Sequence, residues 1–326
     1  MDVKTKVGND IAEVVNLLKS GELVAIPTET VYGLAANFSN EDAVKKIFEV
    51  KKRPTSNPLI LHVDSIEQIH LYVEEFPRIF QELATKFCPG PLTFLMNKSA
   101  IVSELITAGN NRVAVRIPDN VNTLNIIKAL GFPVVAPSAN LYGKLSPTRA
   151  HHVVDQLDGK ISYVFDGGEC ERGIESTIIG IEGTEVVIYR LGSITPEDLG
   201  QHIGYLPGLK VHEDKVPITS GMVKYHYAPS TPCSFYGSNQ TYEENVGFIF
   251  ISKILEKFPS QNVRVLTESG DLNEAARKLY ATLHEMDRQE FSHIYIESAP
   301  DQGIGKAIND RLNRAVAKFK ADKKDR

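Results

Sequence analysis

The chain has 326 residues and a mass of 36.1 kDa, too long for one small core, so one large or two medium domains are expected. With 42% hydrophobic and 24% charged residues it reads as an ordinary globular protein, with no signal peptide or membrane span expected. A net charge of −5 argues against general affinity for nucleic acid, while Cys88, Cys170 and Cys233, odd in number and without a CxxC pair, argue for a reducing, cytoplasmic setting and against a structural zinc.

The first predicted element is a helix over "NDIAEVVNLLKSG", with Asn9 or Asp10 to cap it, Ile11, Val14, Val15 and Leu18 at helical spacing, and Gly21 to stop it. A buried strand "ELVAIP" then runs into "TETVYG". A plain turn needs only Pro, Gly, Asn or Asp, so two threonine hydroxyls, a carboxylate and a tyrosine here read as the lip of a pocket. A helix opened by "SNEDA" turns Ala43, Val44, Ile47 and Val50 inward and ends in "KKRPTSNP", where Pro54 and Pro58 force an extended loop. Next come a strand "LILHV", helices around 65–87, the loop and strand "CPGPLTFLM", a strand "NRVAVRIP", a helix "VNTLNIIKALG" and a strand "PVVAPSAN". A helix over "SPTRAHHVVDQL", with Ser146 or Thr148 as cap, precedes three strand-like runs, "ISYVFDGG", "STIIGIEG" and "EVVIYRLG". Together these predict an α/β sheet domain over residues 1–205. Residues 206–231, rich in Pro, Gly and polar groups, read as a linker, and residues 232–326 as a small α/β domain. There the strands "VGFIFI", "VRVLTE" and "HIYIES" alternate with the helices "LNEAARKLYATLHEMD" and "IGKAINDRLNRAVAKF", which implies a parallel sheet. The end "KADKKDR" reads as a solvated tail.

The chemistry-bearing residues are hydroxyls, amides and arginines. Neither GxxxxGK[ST] nor GxGxxG occurs, and "GIGKA" has the wrong spacing. No His/Cys/Asp/Glu group has zinc spacing; His151 and His152 are adjacent on a helix and so face different ways. No metal is therefore assigned to protein side chains, and no nucleophile triad stands out. In "NRVAVRIP", Arg112 and Arg116 share one face about 13 Å apart while Val113 and Val115 share the other. Taken alone, that face is solvated or ion-paired. "KKRP" presents Lys51 and Arg53 on a stiffened segment. "APSAN" delivers Ser138 and Asn140 to a strand end, where open α/β sheets place ligands. "IEST" adds Ser176 and Thr177 beside glycines that permit close backbone approach to a ligand. His62 in "LILHV" suits a core histidine. Such an inventory fits chemistry done by positioning and charge neutralisation, as in phosphoryl or nucleotidyl transfer.

Seven ordered motifs, "IPTETVYGLAAN", "KKRPTSNPLILHV", "CPGPLTFLM", "VAVRIP", "APSANLYGKLSPT", "DGG…GIESTII" and "YRLG", resemble the threonylcarbamoyl-AMP synthases of the YrdC-like family over residues 8–205. "SGMVKYHYAP" and the small α/β unit beyond it resemble that family's longer, two-domain form. The resemblance implies a twisted α/β sheet around a concave basic cavity, plus a small Rossmann-like C-terminal domain. It implies synthesis of threonylcarbamoyl-AMP and pyrophosphate from L-threonine, bicarbonate and ATP with Mg²⁺, as the first step of a tRNA modification that downstream transferase machinery completes. Carried over residue by residue, Thr30, His62, Arg116, Ala136 and Ser176 would contact threonine. Arg53, Asn57, Ser138, Asn140, Ser146 and Arg190 would contact ATP, with Arg112 reaching the nucleotide through its backbone and a linker residue, Tyr227 or His226, completing the set. Lys51, Arg53 and Arg116 would carry the catalytic charge, and the linker and second domain would close over the site. One rival is carbamoyl-adenylate chemistry, as in hydrogenase maturation factors, whose acylphosphatase and zinc-finger-like segments are missing here. The other is a non-catalytic RNA-binding or translation-associated factor, which would show steep salt dependence without threonine-dependent ATP consumption.

Overall fold

The computed structural model describes residues 4–210, 217–221, 227–237, 245–253 and 258–322. The chain enters through β1 (Lys6–Gly8), too short for its pattern to betray it. Helix α1 (Ile11–Lys19) comes next, opened by the Asp10 carboxylate, which accepts the Ala12 and Glu13 N–H groups. In β2 (Val24–Ile26) the two-residue period sorts the side chains. Val24 and Ile26 join Val14, Leu18 and Ile126 on one side of the sheet; Ala25 joins Leu34, Ile47 and Leu61 on the other. The pocket-lip motif does not end in loop: its glycine begins β3 (Gly33–Asn37), antiparallel to β2.

Asn40 caps α2 (Glu41–Lys51), and the proline loop after it reaches β4 (Ile60–His62). Helices α3 (Ile66–Tyr72) and α4 (Arg78–Phe87) precede β5 (Leu92–Asn97). The short α5 (Glu104–Thr107) precedes β6 (Arg112–Arg116), and α6 (Val121–Leu130) precedes β7 (Val134–Val135). Helix α7 (Ala150–Leu157) starts at Arg149 without a side-chain cap, contrary to expectation. Ser146 is committed to Glu175 instead, and Thr148 lies against His152. After β8 (Tyr163–Phe165), strands β9 (Thr177–Glu182) and β10 (Glu185–Arg190) form a hairpin. Helix α8 (Pro196–Ile203) completes this half, fixed by a reciprocal capping box between Thr195 and Asp198.

These strands make one mixed sheet in the order β1-β8-β2-β3-β7-β4-β6-β5-β9-β10. The second sheet is all parallel, as the strand–helix alternation implied: β11 (Cys233–Phe235), β12 (Val246–Phe250), β13 (Val263–Val265) and β14 (His293–Ile296) run in the order β11-β14-β12-β13. Helices α9 (Leu272–Asp287) and α10 (Gly305–Asp322) pack on it. Its core, which includes Ile249, Leu279 and Ile308, also takes in Val31, Leu145 and Ile174 from the loops of the larger sheet. The two halves thus share an apolar seam. Gly173 belongs to that seam: its φ is +71°, and a Cβ there would stand 2.3 Å from the Arg277 carbonyl oxygen of α9. This glycine answers to helix packing rather than to the close ligand approach expected of it.

Within the expected linker, residues 211–216 and 222–226 lie outside the described residues, and so does His226; the tail beyond residue 322 does too. Among the described residues no helix is long and apolar enough to cross a membrane.

Candidate active site

The motifs meet where the central strands of the large sheet end. His62 closes β4 and Arg116 closes β6; in the parallel register they are Cα neighbours. Thr93 of β5 pairs with Arg116 from the antiparallel side, and Ser176 stands just before β9. Arg190 ends β10, and Ala136 and Ser138 come after β7. One pocket is lined by Thr30, His62, Arg116, Ala136, Ser138, Ser176, Arg190 and Tyr227, together with Glu175 and Ser220.

Arg116 is buried and held on three sides. Its Nη2 donates to Glu29 Oε1 at 2.6 Å, its Nη1 to Thr30 Oγ1 at 3.0 Å and its Nε to the Gly90 carbonyl at 3.3 Å. A guanidinium has five N–H donors, so these bonds leave two for a ligand. Thr28 Oγ1 and Thr30 Oγ1 lie 2.8 Å apart, and Thr28 also accepts from the backbone N–H groups of Thr30 and Val31. The "PTET" hydroxyls therefore fix each other and the Arg116 guanidinium. The second oxygen of Glu29 is buried without a partner, an acceptor a ligand could use. His62 lies buried, its Nδ1 3.2 Å from the Ile60 carbonyl oxygen. Burial, with Arg116 and Arg190 nearby, lowers its pKa to about 3, so the ring is neutral.

Arg53 and Arg190 converge on Ser220 of the linker. Arg53 Nη2 approaches Ser220 Oγ at 3.4 Å, and Arg190 Nη1 donates to the Ser220 carbonyl at 3.3 Å. Arg190 also holds Ser176 twice, through its carbonyl oxygen and its Oγ, each at 2.9 Å. Arg53 ties down the proline loop through Asn57 O, Asn57 Oδ1 and Pro58 O. Burial lowers the Arg53 pKa to about 10, with Arg190 opposing its charge further. Gathering cations out of water raises their free energy unless an anion arrives. Asn57 Nδ2 and Asn140 Oδ1 are both buried without a partner, which places one spare donor and one spare acceptor in the expected nucleotide set. Gly221, at φ +86°, is required beside them, because a Cβ there would stand 2.8 Å from Arg190 Cδ and 2.9 Å from the Tyr227 hydroxyl.

Two expected residues, Lys51 and Ser146, sit differently, and Arg112 is expected to act only through its backbone. The Lys51 ammonium is fully buried and donates to the backbone oxygens of Ser138 and Asn140. Burial first, then Arg53, pulls its pKa well below the ordinary lysine value. It acts as a staple for the Ser-x-Asn turn rather than as an open cation. The Arg112 side chain does not line the pocket; it turns to Glu182 Oε1 at 3.0 Å and the Tyr189 hydroxyl at 2.9 Å. The Ser146 hydroxyl donates to Glu175 Oε1 at 2.6 Å and likewise lies behind the wall. Glu29, Glu175 and Ser220 stand outside the predicted set. Glu29 and Glu175 lie inside quoted motifs, and a carboxylate flanked by buried elements signals a cationic partner; Ser220 carries no such mark. Among the described residues no group of three or more His, Cys, Asp or Glu side chains is placed to hold a metal ion.

Comparison with known proteins finds two family models in succession along the chain. Residues 16–192 match the Sua5/YciO/YrdC family model, described as telomere recombination, and residues 194–317 match the model described as the threonylcarbamoyl-AMP synthase C-terminal domain. The chain is 39% identical to the threonylcarbamoyl-AMP synthase of Bacillus subtilis over 94% of its length and 92% of that protein's. It is 38% identical to the enzyme of the same name from Pyrococcus abyssi, over 91% of each. The crystal structure of P. abyssi Sua5 complexed with L-threonine superposes with a TM-score of 0.88 at 35% identity, covering 97% of this chain and 98% of that one. Escherichia coli YciO shares the fold of the larger sheet at 17% identity, with a TM-score of 0.51 over 58% of this chain.

Proposed function

The chain belongs to the Sua5 family of threonylcarbamoyl-AMP synthases, adenylate-forming enzymes of tRNA modification, and on that premise we propose that it condenses L-threonine, bicarbonate and ATP and releases pyrophosphate. One observation carries this reading: Thr30, His62, Arg116, Ser176, Arg190 and Tyr227, far apart in sequence, line a single pocket. In it, Arg116 receives the threonine carboxylate with its two remaining N–H groups, while Thr30, neutral His62, Ala136 and Ser176 read the amine and the hydroxyl. Arg53, Arg190, Asn57, Ser138 and Asn140, with Tyr227, hold the triphosphate and its nucleoside.

The threonine nitrogen attacks the bicarbonate carbon, and loss of water leaves a carbamate. A carbamate oxygen then attacks the α-phosphorus of ATP while the bond to the β-phosphate bridging oxygen breaks, so pyrophosphate departs with that electron pair. Both reactants are anions, and their encounter costs Coulomb energy that Arg53, Arg116 and Arg190 offset. Burial makes each of these fixed charges act through a medium of lower polarity than water. Magnesium accompanying ATP would add further charge neutralisation at the phosphates. Among the described residues the chain would offer it the spare Asn140 oxygen and hydroxyls, with no carboxylate cluster placed to hold a metal. The linker, through Ser220 and Tyr227, and the second sheet close over the mixed anhydride and shield it from water. The cysteines Cys88, Cys170 and Cys233 are all free thiols, in keeping with a cytoplasmic reaction whose product passes to a downstream tRNA transferase. The test is pyrophosphate release from MgATP and bicarbonate with and without L-threonine; release that does not depend on threonine removes the proposal.

A further inference from the structure

Glu175 precedes the pocket residue Ser176 and is buried with its charge. Its carboxylate accepts the Ser146 hydroxyl at 2.6 Å, the Tyr280 hydroxyl at 3.1 Å and Arg311 Nε at 2.8 Å. Tyr280 and Arg311 come from α9 and α10, on the other side of the seam. Arg311 is 1% exposed and does more than neutralise this carboxylate. Its Nη2 donates to the Leu191 carbonyl at 2.7 Å, its Nη1 to Asp310 at 2.6 Å, and its guanidinium carbon lies 5.1 Å from the centre of the Tyr227 ring.

Those contacts have a common destination. Glu175 stands before β9 and Leu191 after β10, so one rigid guanidinium fork bridges the open end of the hairpin. From that end project Ser176, which lines the pocket, and Arg190, which binds Ser176 twice. Tyr227, under the same fork, lines the pocket from the linker side. We infer that Arg311 is a positioning residue for the nucleotide half of the site: it holds Glu175, Leu191 and Tyr227 so that Arg190 and the Tyr227 ring meet ATP. This inference rests on the reading proposed above. The threonine carboxylate has its own scaffold, Glu29–Arg116–Thr30, which Arg311 does not touch, and of the threonine-facing residues only Ser176 projects from the clamped end. A buried ion pair is a weak device for stability alone, since apolar groups of the same shape do as well; its use across the mouth of a hairpin is geometric.

The test compares full-length wild type with Arg311→Met and Arg311→Lys. MgATP and L-threonine are titrated calorimetrically, each without bicarbonate so that no turnover occurs. Arg311→Met is expected to weaken MgATP roughly tenfold or more, the effect of losing charge-assisted bonds that hold the wall, and to weaken threonine, through Ser176 alone, by no more than about threefold. Arg311→Lys keeps a charge for Glu175 but cannot reach the Leu191 carbonyl with the same fork, so its loss is expected to be smaller, roughly threefold. A purely structural role would weaken both ligands together or lower only the active fraction; either result overturns the inference, as does MgATP affinity unchanged in both variants. If Arg311→Met does not fold, Arg311→Lys decides alone. A wild-type chain without threonine-dependent pyrophosphate release would remove the proposed function, while the nucleotide titrations would still decide the role of Arg311.

Discussion

Lowering the pH from neutrality to about 5 is expected to destabilise the chain through three imidazoles buried in the neutral form. His152 of α7 and His284 of α9 stack across the seam, with ring centroids 4.0 Å apart and planes at 15°. Burial holds His284 at about 4 and His152 at about 2, and each ring would repel the other's charge; Arg149 and Arg288 add to the cost, while Asp155 and Asp287 offset it in part near His284. His62 lies at about 3, held down by burial and by Arg116 and Arg190. In the unfolded chain each titrates near 6.5. Between that value and the folded one the unfolded state binds more protons, so the stability these rings confer is complete above the unfolded pKa and drains away as the pH falls below it. At pH 5 each ring is about 1.5 units below its unfolded pKa, which corresponds to ~2 kcal/mol apiece and ~6 kcal/mol for three acting independently. That is comparable with the whole stability of many domains, about 5–15 kcal/mol. Urea unfolding at a series of pH values reads this directly. His284→Asn removes one titration and relieves the stack, so it should flatten the slope by about a third or more. A stability constant to within ~1 kcal/mol over the range, or a slope indifferent to His284→Asn, refutes the reasoning.

Arg53→Ala should cut threonine-dependent pyrophosphate release by about 10²–10³ while the circular dichroism spectrum stays native; near-normal turnover would remove Arg53 from the charge-neutralising set. Glu29→Ala strands a buried guanidinium, for which the expected loss in urea unfolding is about 3–5 kcal/mol, accompanied by weaker threonine binding as Arg116 loses its anchor; unchanged unfolding would mean that the pair contributes nothing to the fold. Steady-state comparison of amino acids should rank threonine first. Serine, which lacks only a methyl group, should trail by roughly 1–3 kcal/mol in kcat/KM, and alanine should fall much further because it leaves the hydroxyl's buried partner unmatched. Equal turnover of alanine would contradict that reading of the Thr30 wall.

The sequence announced its longer elements because they carry caps and clear periods: Asp10 and Asn40 both cap where their residue types suggest. β1 and β11 have three residues each, too few for alternation to rise above chance. α8 was legible in principle from Thr195, Pro196 and Asp198. In the site, the residues themselves singled out Thr30 in a polar run after a strand, Arg116 on a strand and Ser176 beside glycines; His62 and Arg190 joined them only through the family resemblance. What local pattern does not reveal is which partner a charge chooses. Arg112 and Arg116 share a strand face, yet the first turns to Glu182 and the second to Glu29. Lys51 has the pattern of a free cation at a helix end and is instead consumed by two backbone carbonyls. Such choices are made by tertiary neighbours.

The clamp on Glu175 reaches 136 positions along the chain to Arg311 and 105 to Tyr280, whereas the Ser146 contact spans only 29. Long closures come late in folding because more chain must be immobilised before they return any energy. A chain whose large sheet has condensed but whose last helix is still undocked therefore carries a carboxylate awaiting its cation and a hairpin with a loose mouth. On the role inferred for Arg311, a grip on nucleotide therefore requires that the last helix be docked.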